Sequence, residues 1–378
     1  MAQAPRRPLR RKFMSPLPRA VHPGAWWLWA LGMAAAASRT TNPLLLALIV
    51  AVVGFVVVQR RGDAPWALAF RMYLVLGAFI VAMRVVFRIV FGGGMGETVL
   101  FTLPEIPLPE WAAGIRLLGP VAAEQLLGGA YDGMRLAAMV ICVGAANALA
   151  NPKRMLKALP GALYEVGTSV VVTLSVAPQL VESVQRVRRA RLLRGGSTKG
   201  RRAIRGILIP VLEDAMNRSL ALAAAMASHG YGRTGRIAPR TRLVTGVLVI
   251  GGLLGVCAGL YGAMGASTPV LLGTPLLLAG LALAAVGFLL GGRRVRRTTY
   301  RPDPWRGAEW MVAACGLASA AGMYLVSGTA QAATLYPPLS PLSWPEVTVT
   351  PVLAALTGLL PGVLAPRLPR QLPREVPA

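Results

Sequence analysis

Acid, histidine and cysteine are all scarce in this chain. Fourteen Asp and Glu stand against 40 Lys and Arg, a formal net charge of +26. The histidines are His22 and His229, and the cysteines are Cys142, Cys257 and Cys315. Two histidines cannot build a histidine-based metal cluster. Three cysteines, widely separated and each inside an apolar run, fit neither a disulfide framework nor a zinc site. Enzyme motifs are missing too: the chain has no Gly-x-Ser-x-Gly elbow and no HExxH pair. The run Gly195-Gly196-Ser197-Thr198-Lys199-Gly200 lacks the order of a phosphate loop. No cluster of acids lies within an apolar run, which leaves little for hydrolysis or a proton relay. Neither an enzyme nor a bound cofactor or metal is expected.

What is abundant is apolar surface. Hydrophobic residues make up 55% of the chain and charged ones 14%, so a bilayer must supply most of its solvent. Apolar runs occur at 26–37, 43–58, 66–91, 135–150, 243–264, 269–290, 308–326 and 347–364. The basic residues sit between and beside these runs, where membrane orientation accounts for them and nucleic acid is not needed. The segment 92–132 has the opposite sign, with Glu97, Glu105, Glu110, Glu124 and Asp132 against Arg116. Basic loops inside and acidic or neutral loops outside give eight crossings with both termini cytoplasmic. The stretch 111–129 is expected to lie along the membrane surface. In the third run, Arg84 and Arg88 either snorkel or meet an acidic partner. Gly255 and Gly259 form a small-xxx-small pair suited to close helix packing.

One long interior stretch is hydrophilic. Between Ser183 and Arg240 there are 13 Lys or Arg against Glu213 and Asp214. A helical run over 163–193 ends in Arg194-Gly195-Gly196, and a second over 204–228 ends in His229-Gly230-Tyr231-Gly232. A basic side chain followed by glycine is a common helix stop, because glycine accepts the left-handed conformation and a cation complements the carbonyl end. Either end alone is an ordinary stop. Two in one basic segment suggest an arm that passes motion to or from a soluble partner, or that lies against anionic lipid.

In the order and spacing of several short elements, the chain resembles the transmembrane (T) component of energy-coupling factor transporters, the EcfT/CbiQ family. They are His22-Pro23 before a first hairpin and Asn42-Pro43 inside it, Gly96-Glu97-Thr98-Val99-Leu100-Phe101, and Asn151-Pro152 followed by Leu156-Lys157-Ala158-Leu159. To these are added 178–195 and 209–232, which resemble the two coupling helices. The resemblance covers about 21–233; the last helices, about 284–378, have no counterpart in it. It implies that Leu193-Arg194-Gly195 and Ser228-His229-Gly230 stand at the family's two Ala-Arg-Gly-type motifs, whose arginine docks in a groove of an ATPase subunit. His229 departs from that pattern, offering fewer donors than a guanidinium and no permanent charge.

The expected fold is therefore all-α: a polytopic integral membrane protein of about eight transmembrane helices with two long cytoplasmic coupling helices. Expected domains are an N-terminal membrane domain (1–182), a coupling region (183–240) and additional helices (241–378). The implied function is a non-enzymatic, cell-membrane subunit of an importer for a vitamin or transition-metal ion. Its implied partners are two ABC-type ATPase subunits and a small membrane substrate-binding (S) subunit, with Arg194, Gly195, His229, Gly230, Arg191 and Arg233 at the docking ends. The main alternative is a membrane protein whose basic loop binds anionic lipid or a scaffold partner without ATP. A self-contained secondary transporter is a further alternative, weakened by the lack of an inverted repeat.

Overall fold

A computed structural model describes residues 20–62, 69–91, 97–104, 118–158, 163–195, 201–231, 239–264, 273–292 and 303–366. The chain divides into two compact units, one of Met1–Met155 with Asp303–Ala378 and the other of Leu156–Pro302.

The first unit starts with a hairpin of α1 (Pro23–Ser38) and α2 (Pro43–Arg60). The sequence fixes both starts in the same way. The His22 ring accepts from Gly24 N–H at 3.1 Å and the Asn42 side chain from Leu44 N–H at 3.0 Å, each followed by proline at the first helical position. Asn151-Pro152 repeats the device at the short α5 (Pro152–Lys157), where the Asn151 side chain accepts from Arg154 N–H.

Between these lie α3 (Phe70–Val90), strands β1 (Val99–Thr102) and β2 (Pro120–Ala122), and α4 (Ala123–Leu149). The strands pair antiparallel, and α4 begins directly after them. This corrects the surface helix expected over 111–129: Leu118 and Gly119 turn with positive φ, 120–122 form β2, 123–129 open α4, and 105–117 lie outside the described residues. The cause is local. Val121 and Ala122 are buried beside β1, and the Glu124 carboxylate accepts from Thr98 N–H at 3.0 Å and from the Thr98 hydroxyl, which ties the strand to the helix start. Arg88 of α3 stands 3.7 Å from Asp132 of α4, so that arginine does meet an acidic partner.

The unit is completed by α10 (Gly307–Ser327), α11 (Ala332–Leu335), α12 (Val349–Thr357) and α13 (Leu360–Leu364). α1 packs on α4 and α10, and α2 on α4, α12 and α13. Its core runs through Trp29, Met33, Leu45, Leu46, Ile49 and Met323, all fully buried. Where α1 crosses α10, Gly32 and Gly316 bring the backbones into contact, and a Cβ on either would collide with the facing main chain.

The second unit contains α6 (Tyr164–Leu193), α7 (Arg201–Ser228), α8 (Pro239–Met264) and α9 (Thr274–Gly292). The small-residue pair Gly255 and Gly259 faces α9: a Cβ on Gly255 would come within 3.0 Å of Gly280 Cα, and one on Gly259 would strike the Leu277 backbone. The pair therefore packs a hairpin within the chain.

Seven helices among the described residues are long and apolar enough to cross a bilayer: α2, α3, α4, 166–193 of α6, 243–264 of α8, α9 and α10. The fold is all-α and polytopic, as expected, with a different membership. α1 has 16 residues, about 24 Å of helix against a hydrocarbon core of about 30 Å. Helices α12 and α13 are also short, and α6 meets the criterion in their place.

Candidate functional site

The basic segment of the second unit forms two long helices that meet over a short stretch. Three contacts define the crossing. The Arg218 guanidinium of α7 lies 3.4 Å from Gln179 Oε1 of α6, and the Ser183 hydroxyl of α6 donates to Asp214 of α7 at 2.7 Å. One turn-pair further on, the Arg191 guanidinium lies over Gly206, where any Cβ would strike it. The contacts keep one antiparallel register: steps from 179 to 183 to 191 on α6 match steps from 218 to 214 to 206 on α7. Among the described side chains of these two helices, Ser183 and Val211 are buried, at 3% and 6% exposure.

Asp214 is the hub. Besides Ser183 it accepts from Arg218, with Nε 3.1 Å from one carboxylate oxygen and Nη2 3.0 Å from the other. The Ser183 hydroxyl, the Arg218 hydrogen bonds and the nearby Arg186 charge hold its carboxyl below the usual range. A carboxylate accepts from both the hydroxyl and the guanidinium and offsets positive charge between two such basic helices. Nothing in the sequence pattern singles Asp214 out, because Ser183 lies 31 residues away; an acid within 13 bases was the available signal.

Both helix ends take the geometry that their glycines allow. Gly195 has φ +74° and Gly230 has φ +75°. At the end of α7, Tyr231 N–H donates to Met226 C=O at 2.9 Å and Gly230 N–H to Ala227 C=O at 3.0 Å, the paired bonds of a Schellman stop. At the end of α6, Gly195 N–H donates to Leu192 C=O at 3.1 Å. Arg194 and His229 are the residues just before these glycines, and both are exposed. Leu193, beside Arg194, is 89% exposed, so an apolar and a cationic side chain stand out together.

The expected site residues are not gathered in one place. Arg191 sits at the crossing, half-buried, one turn before Arg194. His229 is 23 residues along α7 from Gly206, which is about 35 Å of helix. The antiparallel register thus puts the two glycine-stopped ends at opposite ends of α7. Arg233 lies outside the described residues. Along α7, Ile204, Leu208, Leu212, Met216 and Leu220 recur every fourth residue, each at least half exposed. Among the described residues, no three His, Cys, Asp or Glu side chains are grouped to hold a metal ion.

The seven helices long and apolar enough to cross a bilayer mark a multi-pass membrane protein, and two long basic helices with separate glycine-stopped ends are its most polar part. The model of the CbiQ family, described as cobalt transport protein, matches residues 15–239. That is more than half of the 378 residues, so the chain belongs to the CbiQ family and is the membrane component of a transporter. The match takes in α1 to α7 and stops at the first residue of α8. A comparison with curated proteins finds no match.

Proposed function

We propose that this protein is the coupling subunit of an energy-coupling factor importer in the cell membrane, with both termini cytoplasmic. It transmits ATP hydrolysis by two ATPase subunits to a small membrane subunit that binds the cargo. The observation that carries this reading is the separation of the two capped ends: two posts about 35 Å apart along one helix serve two soluble subunits, whereas a lipid-binding patch needs no such posts. Arg194 is the post at the end of α6 and His229 the post at the end of α7. Leu193 at one end and Tyr231 at the other supply apolar contact beside the polar group, the composition of an anchoring residue and its surround. Closure of the ATPase pair changes the distance between the posts, and the α6–α7 crossing converts that change into helix tilt. The family's description points to cobalt or another transition-metal ion as cargo, with a vitamin as the other class.

Purification of the tagged protein in mild detergent tests this. The parent brings down two nucleotide-binding subunits and a small integral membrane protein, and Arg194→Glu loses the ATPase bound at α6. The lipid reading is favoured by exposed Arg186, Arg188 and Arg189 on α6. It gives a different result: charge reversals at these three positions weaken function gradually and additively, on the order of 1 kcal/mol each, with no abrupt loss at Arg194.

A further inference from the structure

The family match ends at residue 239, yet residues 303–366 line the α1–α2 hairpin from end to end. Beyond the shared apolar core, polar bonds cross the contact, most of them directed at main-chain carbonyls. The Trp29 indole N–H donates to Gly358 C=O at 3.0 Å. Arg60, which is 8% exposed, donates to Gly362 C=O at 3.0 Å and to Val363 C=O at 2.9 Å. At the turn between α1 and α2, the Thr40 hydroxyl donates to Leu335 C=O at 2.8 Å, and the Asn42 amide to Thr334 C=O at 2.9 Å and Glu346 C=O at 2.8 Å. At the other end of α1, the Arg154 guanidinium pairs with Asp303, and His22 N–H donates to the Glu309 carboxylate at 3.3 Å.

These donors answer a specific need. The apolar segment Val349–Leu364 is broken between Thr357 and Leu360, and a break frees carbonyls that hydrocarbon cannot satisfy. Gly358 carries a carbonyl freed at the break, and Gly362 and Val363 carry carbonyls freed where α13 ends at Leu364; Trp29 bonds the first and Arg60 the other two. An isolated broken segment would leave them unpaired at a cost of several kcal/mol per group in lipid. The Arg60 guanidinium gains from the same arrangement, meeting two of these carbonyls at once. Gly362 also lets the segment close on α2, where a Cβ would come within 3.3 Å of Val56.

We infer that residues 303–366 act as a permanently docked internal membrane subunit that closes this face of the α1–α2 hairpin. The substrate-binding subunit, whose existence rests on the function proposed above, therefore engages the protein at another surface and does so while the hairpin stays closed.

A reversible cross-link tests the inference in the full chain. With Cys142, Cys257 and Cys315 replaced by alanine, Val56→Cys and Gly362→Cys are oxidised in native membranes. Near-complete linkage is expected, with the same subunits co-purifying and ATPase activity of the complex within about twofold of the reduced sample. Linkage of only a small fraction overturns the inference, as does activity or membrane-partner binding that is lost on oxidation and restored by reductant. A second measurement avoids new cysteines. A protease site is inserted within 293–302, and the cut C-terminal fragment stays with the rest through gel filtration in detergent; its release overturns permanent docking. Retention of both ATPases by Arg194→Glu would sink the coupling reading, while linkage yield and fragment retention still report the docking on their own.

Discussion

At the scale of the residue, Asp214 and Arg194 carry opposite kinds of work. Asp214 is internal: it fixes α6 against α7 through Ser183 and Arg218. Its carboxyl is held below the usual range in the folded protein, so its contribution is complete above the unfolded carboxylate value of about 3.9 and is lost as pH falls through the lower folded value. Asp214→Asn keeps the shape and removes the charge. The expected outcome is a wider spread of spin-label distances between α6 and α7 at neutral pH, matched in the parent only at strongly acidic pH. An unchanged distribution in Asp214→Asn would contradict the role of the clasp. Arg194 is external, its guanidinium free to reach a partner on an exposed helix end. Arg194 and the two glycines were legible in the sequence because a helix stop is written locally. Asp214, Ser183, Gln179 and Gly206 were not, because their partners lie across the turn and only the register brings them together.

Elements behave as their punctuation directs. Three X-Pro pairs, His22-Pro23, Asn42-Pro43 and Asn151-Pro152, open three helices, with the side chain before each proline accepting a backbone N–H. Gly195 and Gly230 close two more with positive φ. Gly230→Val forces a β-branched side chain into that region at about 1–2 kcal/mol. The expected result is fraying of the last turn of α7 and displacement of His229, read as faster amide exchange at 226–231, whereas Gly246→Ala, with open space around it, leaves exchange unchanged. At the α1–α10 crossing, Gly32→Leu overpacks two touching backbones and costs about 1–3 kcal/mol; a fall in detergent melting temperature checks it. The surface helix expected over 111–129 failed for a related reason. Its amphipathic pattern is also that of a strand edge running into a helix, and the deciding contact, Thr98 to Glu124, spans 26 residues.

At the scale of the molecule, the apolar runs gave the class of fold at once, since their composition admits no soluble core. The number of crossings differs from eight because a helix of 16 residues and a broken segment read as spans when only apolar length is weighed. The long α6 hid its apolar first half behind the basic charge of its second. Residues 303–366 held no recognisable motif, because their bonds to α1 and α2 are made by main-chain carbonyls, which leave no mark on sequence. The candidate arm was legible as a basic island, and the separation of its two glycine-stopped ends followed only from the antiparallel register.

The most direct test of the coupling reading is quantitative mass spectrometry of what co-purifies with the tagged full-length protein, compared between the parent, Arg194→Glu and Arg188→Glu. Arg188 is equally exposed on α6 but lies away from the glycine stop. The expected result is two nucleotide-binding subunits with the parent and with Arg188→Glu, and loss of at least tenfold of one of them with Arg194→Glu. Equal recovery from all three, or a uniform decline that follows charge and ignores position, would contradict it.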